Sequence, residues 1–148
     1  MVMGDVQNLE ILLVEDSDQD AEMTMRTLKK RGIANDIARV RDGVEALEWL
    51  HCEGAWADRD GSMPRLVLLD LKMPRMDGLQ VLARLKGDAR TRNLPVVMLT
   101  SSREEGDLIG SYALGVNSYI VKPVDFEQFA DTVAQVGMYW VLVNQAPH

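Results

Sequence analysis

Four short apolar runs punctuate the chain, and each ends in a polar group. Leu9 to Val14 closes with Glu15-Asp16-Ser17-Asp18, Leu66 to Leu69 with Asp70, Leu94 to Leu99 with Thr100-Ser101-Ser102, and Ser118 to Val121 with Lys122-Pro123. Unbroken apolar runs of strand length bounded by turn formers suit parallel strands covered on both faces. A fifth, weaker strand is expected over Asn35 to Val40.

Between the runs the period changes to that of helices. Ala21, Met25 and Leu28 follow i, i+4, i+7 spacing after Ser17 or Asp18, either of which can cap the helix, and Gly32 ends it. Asp42-Gly43 opens a second helix with Val44, Leu47 and Leu50 on one face; Asp77 caps a third carrying Leu79, Leu82 and Leu85. Ser101 to Gly115 reads as a weak helix, because Gly106 and Gly110 each cost about 1 kcal/mol against Ala. Asp125 starts a last helix lined by Phe126, Phe129, Ala130, Val133 and Val136. Glu53 to Pro64 has turn residues and no period, which predicts a surface loop with Trp56 clipping it to the body.

Five alternating strand and helix units predict an α/β three-layer sandwich with right-handed crossovers. In a parallel sheet the carboxyl ends share one edge, where ligands of open α/β folds bind. Glu15, Asp16, Asp70, Thr100 and Lys122 are therefore expected around one crevice. Three carboxylates there repel one another, so a hard divalent cation is the natural means of keeping them ionised, with Mg²⁺ expected and Mn²⁺ as a substitute.

Composition narrows the classes. At 148 residues the chain is one domain's worth, and its net charge of -7 argues against nucleic-acid binding; the basic Lys29-Lys30-Arg31 suits a helix C-terminus. One cysteine, Cys52, and two histidines, His51 and His148, exclude a disulfide framework and a zinc cluster, and Cys52 is read as a packing residue. The start lacks a signal-peptide pattern and no apolar run spans a membrane, so a cytoplasmic protein is expected.

The segments V-E-D, L-L-D-L-K-M-P, M-L-T-S and Y-I-V-K-P, in this order and each at a strand end, make residues 9–137 similar to the receiver domain of two-component response regulators. That resemblance implies a flavodoxin-like sheet of order 2-1-3-4-5. It implies that Asp70 accepts a phosphoryl group from a sensor histidine kinase. Asp16 and Asp70 then bind Mg²⁺ with the Lys72 carbonyl, Glu15 through a water, and Thr100 and Lys122 contact the phosphoryl oxygens. It also implies a cis bond before Pro123, a switching role for Tyr119, and tuning of acyl-phosphate hydrolysis by Lys72 and Ser102. Glu15 departs from the more frequent Asp.

No output module is expected after residue 148, and the long loop and aromatic C-terminus make the chain similar to stand-alone regulators that partner phytochrome-type kinases. The alternative of a haloacid-dehalogenase-like phosphatase would need a second Asp where Lys72 stands. A flavin or nucleotide binder would need a phosphate loop where the acidic V-E-D-S-D-Q-D stands. Residues 1–8 are expected to be flexible. Residues 138–148 extend the last helix with Met138, Tyr139, Trp140, Val141, Leu142 and Val143, too apolar for one face to bury, so a homodimer through Tyr139, Trp140 and Leu142 is expected, the alternative being a tail folded back over the body.

Overall fold

The computed structural model describes residues 10–30, 36–110 and 118–135. Its elements are β1 (Glu10–Val14), α1 (Asp18–Lys30), β2 (Asp36–Val40), α2 (Gly43–His51), a 3₁₀ turn (Gly54–Trp56), β3 (Leu66–Asp70), α3 (Gly78–Lys86), β4 (Val96–Thr100), α4 (Arg103–Gly110), β5 (Ser118–Val121) and α5 (Phe126–Gln135). The five strands form one parallel sheet in the order β2-β1-β3-β4-β5, as the flavodoxin-like reading requires.

Alternation along the strands divides the core in two. Ile11, Leu13, Leu66 and Leu68 pack with Leu28 of α1 and Phe129 and Val133 of α5. Leu12, Val14, Val67 and Leu69 pack with Leu50 of α2 and Leu82 and Leu85 of α3. All five residues of β3 are buried, including the acid at its end. Such burial is what an apolar run flanked by helices on both faces produces.

Several boundaries differ from the expectation. β4 starts at Val96 rather than Leu94, because Leu94 closes a turn on the Thr91 carbonyl and Pro95 has no N–H for the ladder. α4 starts at Arg103 rather than Ser101, with Ser102 Oγ accepting from Glu105 N at 3.2 Å. In α1, Ser17 rather than Asp18 supplies the cap, its Oγ accepting from Asp20 N. The buried face of α2 is Gly43, Ala46, Trp49 and Leu50, leaving Val44 and Leu47 half-buried.

Trp56 is half-buried against the same cluster, so the loop is clipped down as expected. Arg59 adds a second fastening: its guanidinium lies 3.6 Å from the centre of the Trp49 ring and its Nε donates to the Trp49 carbonyl at 2.8 Å. Cys52 is half-buried and closes α2 in the left-handed conformation, consistent with a packing role. Among the described residues no helix is long and apolar enough to cross a membrane. Leu9, Gly32, Asn35, Gly115, Val136 and the proposed interface residues Tyr139, Trp140 and Leu142 lie outside the described residues, as do 1–8 and 138–148.

Candidate functional site

Register brings the acids together. Val14 pairs with Leu69 and Asp70 with Leu99, so Glu15, one residue past Val14, comes level with Asp70. Parity also places Glu15 and Asp70 on the face shared by Ile11, Leu13, Leu66 and Leu68. One oxygen from each of Glu15, Asp16 and Asp70 lies within 4.8 Å of the others. They line a cleft of about 130 Å³ with Ser17, Asp20, Leu71, Lys72, Ser101, Glu105 and Lys122.

Lys122 neutralises the deep end. Its Nζ stands 3.1 Å from Glu15 Oε1, 3.1 Å from Asp70 Oδ1 and 3.2 Å from Asp20 Oδ2. Lys122 leaves β5 through a cis peptide to Pro123. Burial works against the ammonium's charge, but the Asp70 and Glu15 carboxylates outweigh it and hold its pKa above the usual lysine range. Asp70 feels the reverse balance. Burial first, then the Glu15 charge, push its carboxyl up to about 7 in spite of Lys122. A group in that position gains from an added cation, and three hard oxygen donors are the set that Mg²⁺ or Mn²⁺ takes. The residues therefore fit a divalent cation.

The other expected residues are placed less directly. Glu15 is buried and its second oxygen accepts from Ser17 N at 3.2 Å. Thr100 ends β4 but is buried, its Oγ1 donating to the Ser102 carbonyl at 2.9 Å, and Ser101 rather than Thr100 lines the cleft. Lys72 reaches across the rim to Glu105 Oε2 at 2.7 Å. Tyr119 donates from its hydroxyl to Asp107 Oδ1 at 2.9 Å, and its ring lies over Gly106, where a Cβ would stand 2.1 Å from Cε1.

Four contributors were not legible in the sequence. Asp20 belongs to V-E-D-S-D-Q-D, and its place three residues after a capping Ser was the available signal. Arg39, the one cation within the predicted second strand, donates twice to the Glu15 carbonyl, at 3.0 and 2.8 Å, and once to Asp18 at 2.7 Å. Arg75 adopts a positive φ of 65° and grips Asp42, the cap of α2, with Nε and Nη2 at 2.8 and 2.9 Å. Gly78 admits the start of α3 against the site's backbone: a Cβ there would meet the Asp70 carbonyl oxygen at 2.5 Å.

The model of the response regulator receiver domain matches residues 11–134. The chain is 42% identical over 149 residues to the probable methanogenesis regulatory protein FilR2 of Methanothrix harundinacea, a match covering 97% of this chain and 94% of that protein. The structure superposes on the bacteriophytochrome response regulator AtBRR with a TM-score of 0.85 at 50% identity, covering 90% of this chain and 95% of the other. It is also similar to the Mn²⁺-bound form of response regulator Rcp1, with a TM-score of 0.71 and 35% identity over 95% of this chain and 99% of the other.

Proposed function

Because the chain belongs to the response regulator receiver family, close to the phytochrome-associated regulators, we propose that it is the aspartyl phosphoacceptor of a two-component relay, with Asp70 as the acceptor. The observation that carries this reading is the Lys122 ammonium held 3.1 Å from both Asp70 and Glu15 beside a triad of carboxylates.

In the proposed reaction an Asp70 carboxylate oxygen attacks the phosphorus of a phosphohistidine. The P–N bond breaks, the imidazole leaves with its electron pair, and an acyl phosphate forms on Asp70. Asp16 and Asp70, with the Lys72 carbonyl, would hold Mg²⁺, and Glu15 would act through a water. When bound, such a cation would supply neutralising charge beside the phosphoryl oxygens. Lys122 donates to one of those oxygens. The Thr100 hydroxyl turns from Ser102 to another. Hydrolysis of the acyl phosphate by the protein itself returns it to the starting state.

The partner is proposed to be a sensor histidine kinase of the bacteriophytochrome type, which the resemblance to AtBRR supports, and the place of action the cytoplasm. Movement of Thr100 leaves room into which Tyr119 rotates, lifting from Gly106 and Asp107, so the signal reaches the face made by α4, β5 and α5. Residues 138–148 are proposed to pair two copies through Tyr139, Trp140 and Leu142, a reading supported by the apolar sequence alone.

Incubation with radiolabelled acetyl phosphate and Mg²⁺ is expected to give an acid-labile label that Asp70→Asn abolishes. Label persisting in that variant overturns the assignment. Sedimentation of the wild type at tens of micromolar tests the dimer: a monomer with and without beryllofluoride, a phosphoryl mimic, removes it.

A further inference from the structure

Lys122 is surrounded by more acid than phosphoryl binding requires. An ammonium has three N–H donors, and three carboxylate oxygens, from Glu15, Asp70 and Asp20, stand at 3.1 to 3.2 Å. Glu15 and Asp20 accept hydrogen bonds from the Lys122 ammonium, and Asp70 pairs with it as an ion at 3.1 Å. A phosphoryl oxygen on Asp70 reaches Lys122 most directly by taking the place of one of the two accepting acids.

The three acids are not equally replaceable. Glu15 is 1% exposed, and its other oxygen is held by Ser17 N. Moving it would leave a buried carboxylate short of a partner. Asp70 is the proposed acceptor and carries the phosphoryl group itself. Asp20 lies at the rim in the first turn of α1, with its side chain 41% exposed. Its backbone N–H is bonded to Ser17 Oγ, so the residue's place is set by the helix cap and its carboxylate is free to turn to water.

We propose that Asp20 is a positioning residue that occupies one donor of Lys122 until the phosphoryl group displaces it, so that its charge governs how readily the site accepts a phosphoryl anion. This inference rests on the receiver reading. Two effects oppose phosphorylation while Asp20 is charged. The displaced carboxylate loses its ion pair, and it then stands near the phosphoryl oxygens, where like charges repel. A merely structural Asp20 would act by favouring the positive end of α1, whatever stood at position 122.

The dissociation constant of beryllofluoride at saturating Mg²⁺, read from the ¹⁹F signal of the bound species on the full chain, separates the two. Asp20→Asn is expected to tighten binding roughly three- to tenfold, the scale of a partly exposed charge interaction. Asp20→Glu, which keeps the charge, is expected to stay within about twofold of the wild type. In a Lys122→Met background the tightening by Asp20→Asn is expected to be clearly smaller, because the ion pair is gone and only the like-charge repulsion remains. Unchanged or weaker binding by Asp20→Asn, or equal tightening in both backgrounds, overturns the proposal while the receiver reading stands. A wild type that neither binds beryllofluoride nor takes label from acetyl phosphate overturns both.

Discussion

Where β1 meets β3, the carboxyl edge of the sheet is held by buried or doubled contacts. Arg39 donates twice to the Glu15 carbonyl, Arg75 grips Asp42 with two nitrogens, and Gly78 brings α3 against the Asp70 backbone. Where β4 meets β5, the three residues expected to switch each make one side-chain contact: Thr100 to the Ser102 carbonyl, Lys72 to Glu105, and Tyr119 to Asp107. The first half fixes the acids before any ligand arrives. The second can exchange each contact for another at small cost, which suits the part of a switch that must move.

Crowding the acids on the tight side has a pH signature, and the largest expected effect comes from relieving it. The Asp70 carboxyl stands at about 7 in the folded protein against 3.8 as its ordinary value. Between those values the folded chain holds a proton that the unfolded chain has released, so stability falls as pH rises from about 4 to about 7 and stays low above that. Asp70→Asn is expected to gain on the order of 3 kcal/mol at pH 8, shrinking toward pH 4. Mg²⁺ is expected to stabilise the wild type at pH 8 and the variant little. Thermal melts at several pH values, with and without Mg²⁺, measure this; a wild-type stability that is flat from pH 5 to 8 without Mg²⁺ defeats it.

Gly78→Ala tests the tight side directly. Its new methyl meets the Asp70 carbonyl oxygen at 2.5 Å and Leu71 Cα at 2.9 Å, backbone atoms that no rotamer can move. A loss of about 2 to 3 kcal/mol in urea unfolding is expected. Asp42→Ala removes the cap of α2 together with the two Arg75 bonds, and about 2 kcal/mol is expected to go with them.

Gly106→Ala makes the matching change on the loose side and should be the mildest. Its methyl meets the Tyr119 ring, which can turn away, and the helix gains about 1 kcal/mol of propensity. The net stability change is expected within about 1 kcal/mol, with Tyr119 displaced toward its proposed rotated position, visible in its ring proton shifts. A loss as large as that of Gly78→Ala erases the contrast between the two sides.

The residues that were legible in the sequence share a physical reason. Asp70, Glu15 and Lys122 end apolar strands, and strand direction plus parallel pairing is enough to gather them; Thr100 ends a strand at the same edge but is buried, and Ser101 lines the cleft. What escaped depends on how helices and loops settle on the sheet. Asp20 meets Lys122 only through the placement of α1. Arg39 looked like a polar interruption of a weak strand. Gly106, read as a weakness of α4, is also the place on which the Tyr119 ring lies. The early start assigned to β4 came from counting Leu94 and Pro95 as apolar when Pro95 has no donor for the ladder.

The pairing of Arg59 with Trp49 also divides the protein's light emission. Of three tryptophans, Trp49 and Trp56 belong to the cluster beneath α2 and α3, on the firmly fastened side, while Trp140 lies in the C-terminal segment. Denaturation should therefore change the colour of Trp49 and Trp56, whereas loading of Asp70 should leave them dark to the event. A change in tryptophan emission on adding beryllofluoride to the intact fold, excited where tyrosine does not absorb, is then expected to come from Trp140, a native optical reporter for the tail.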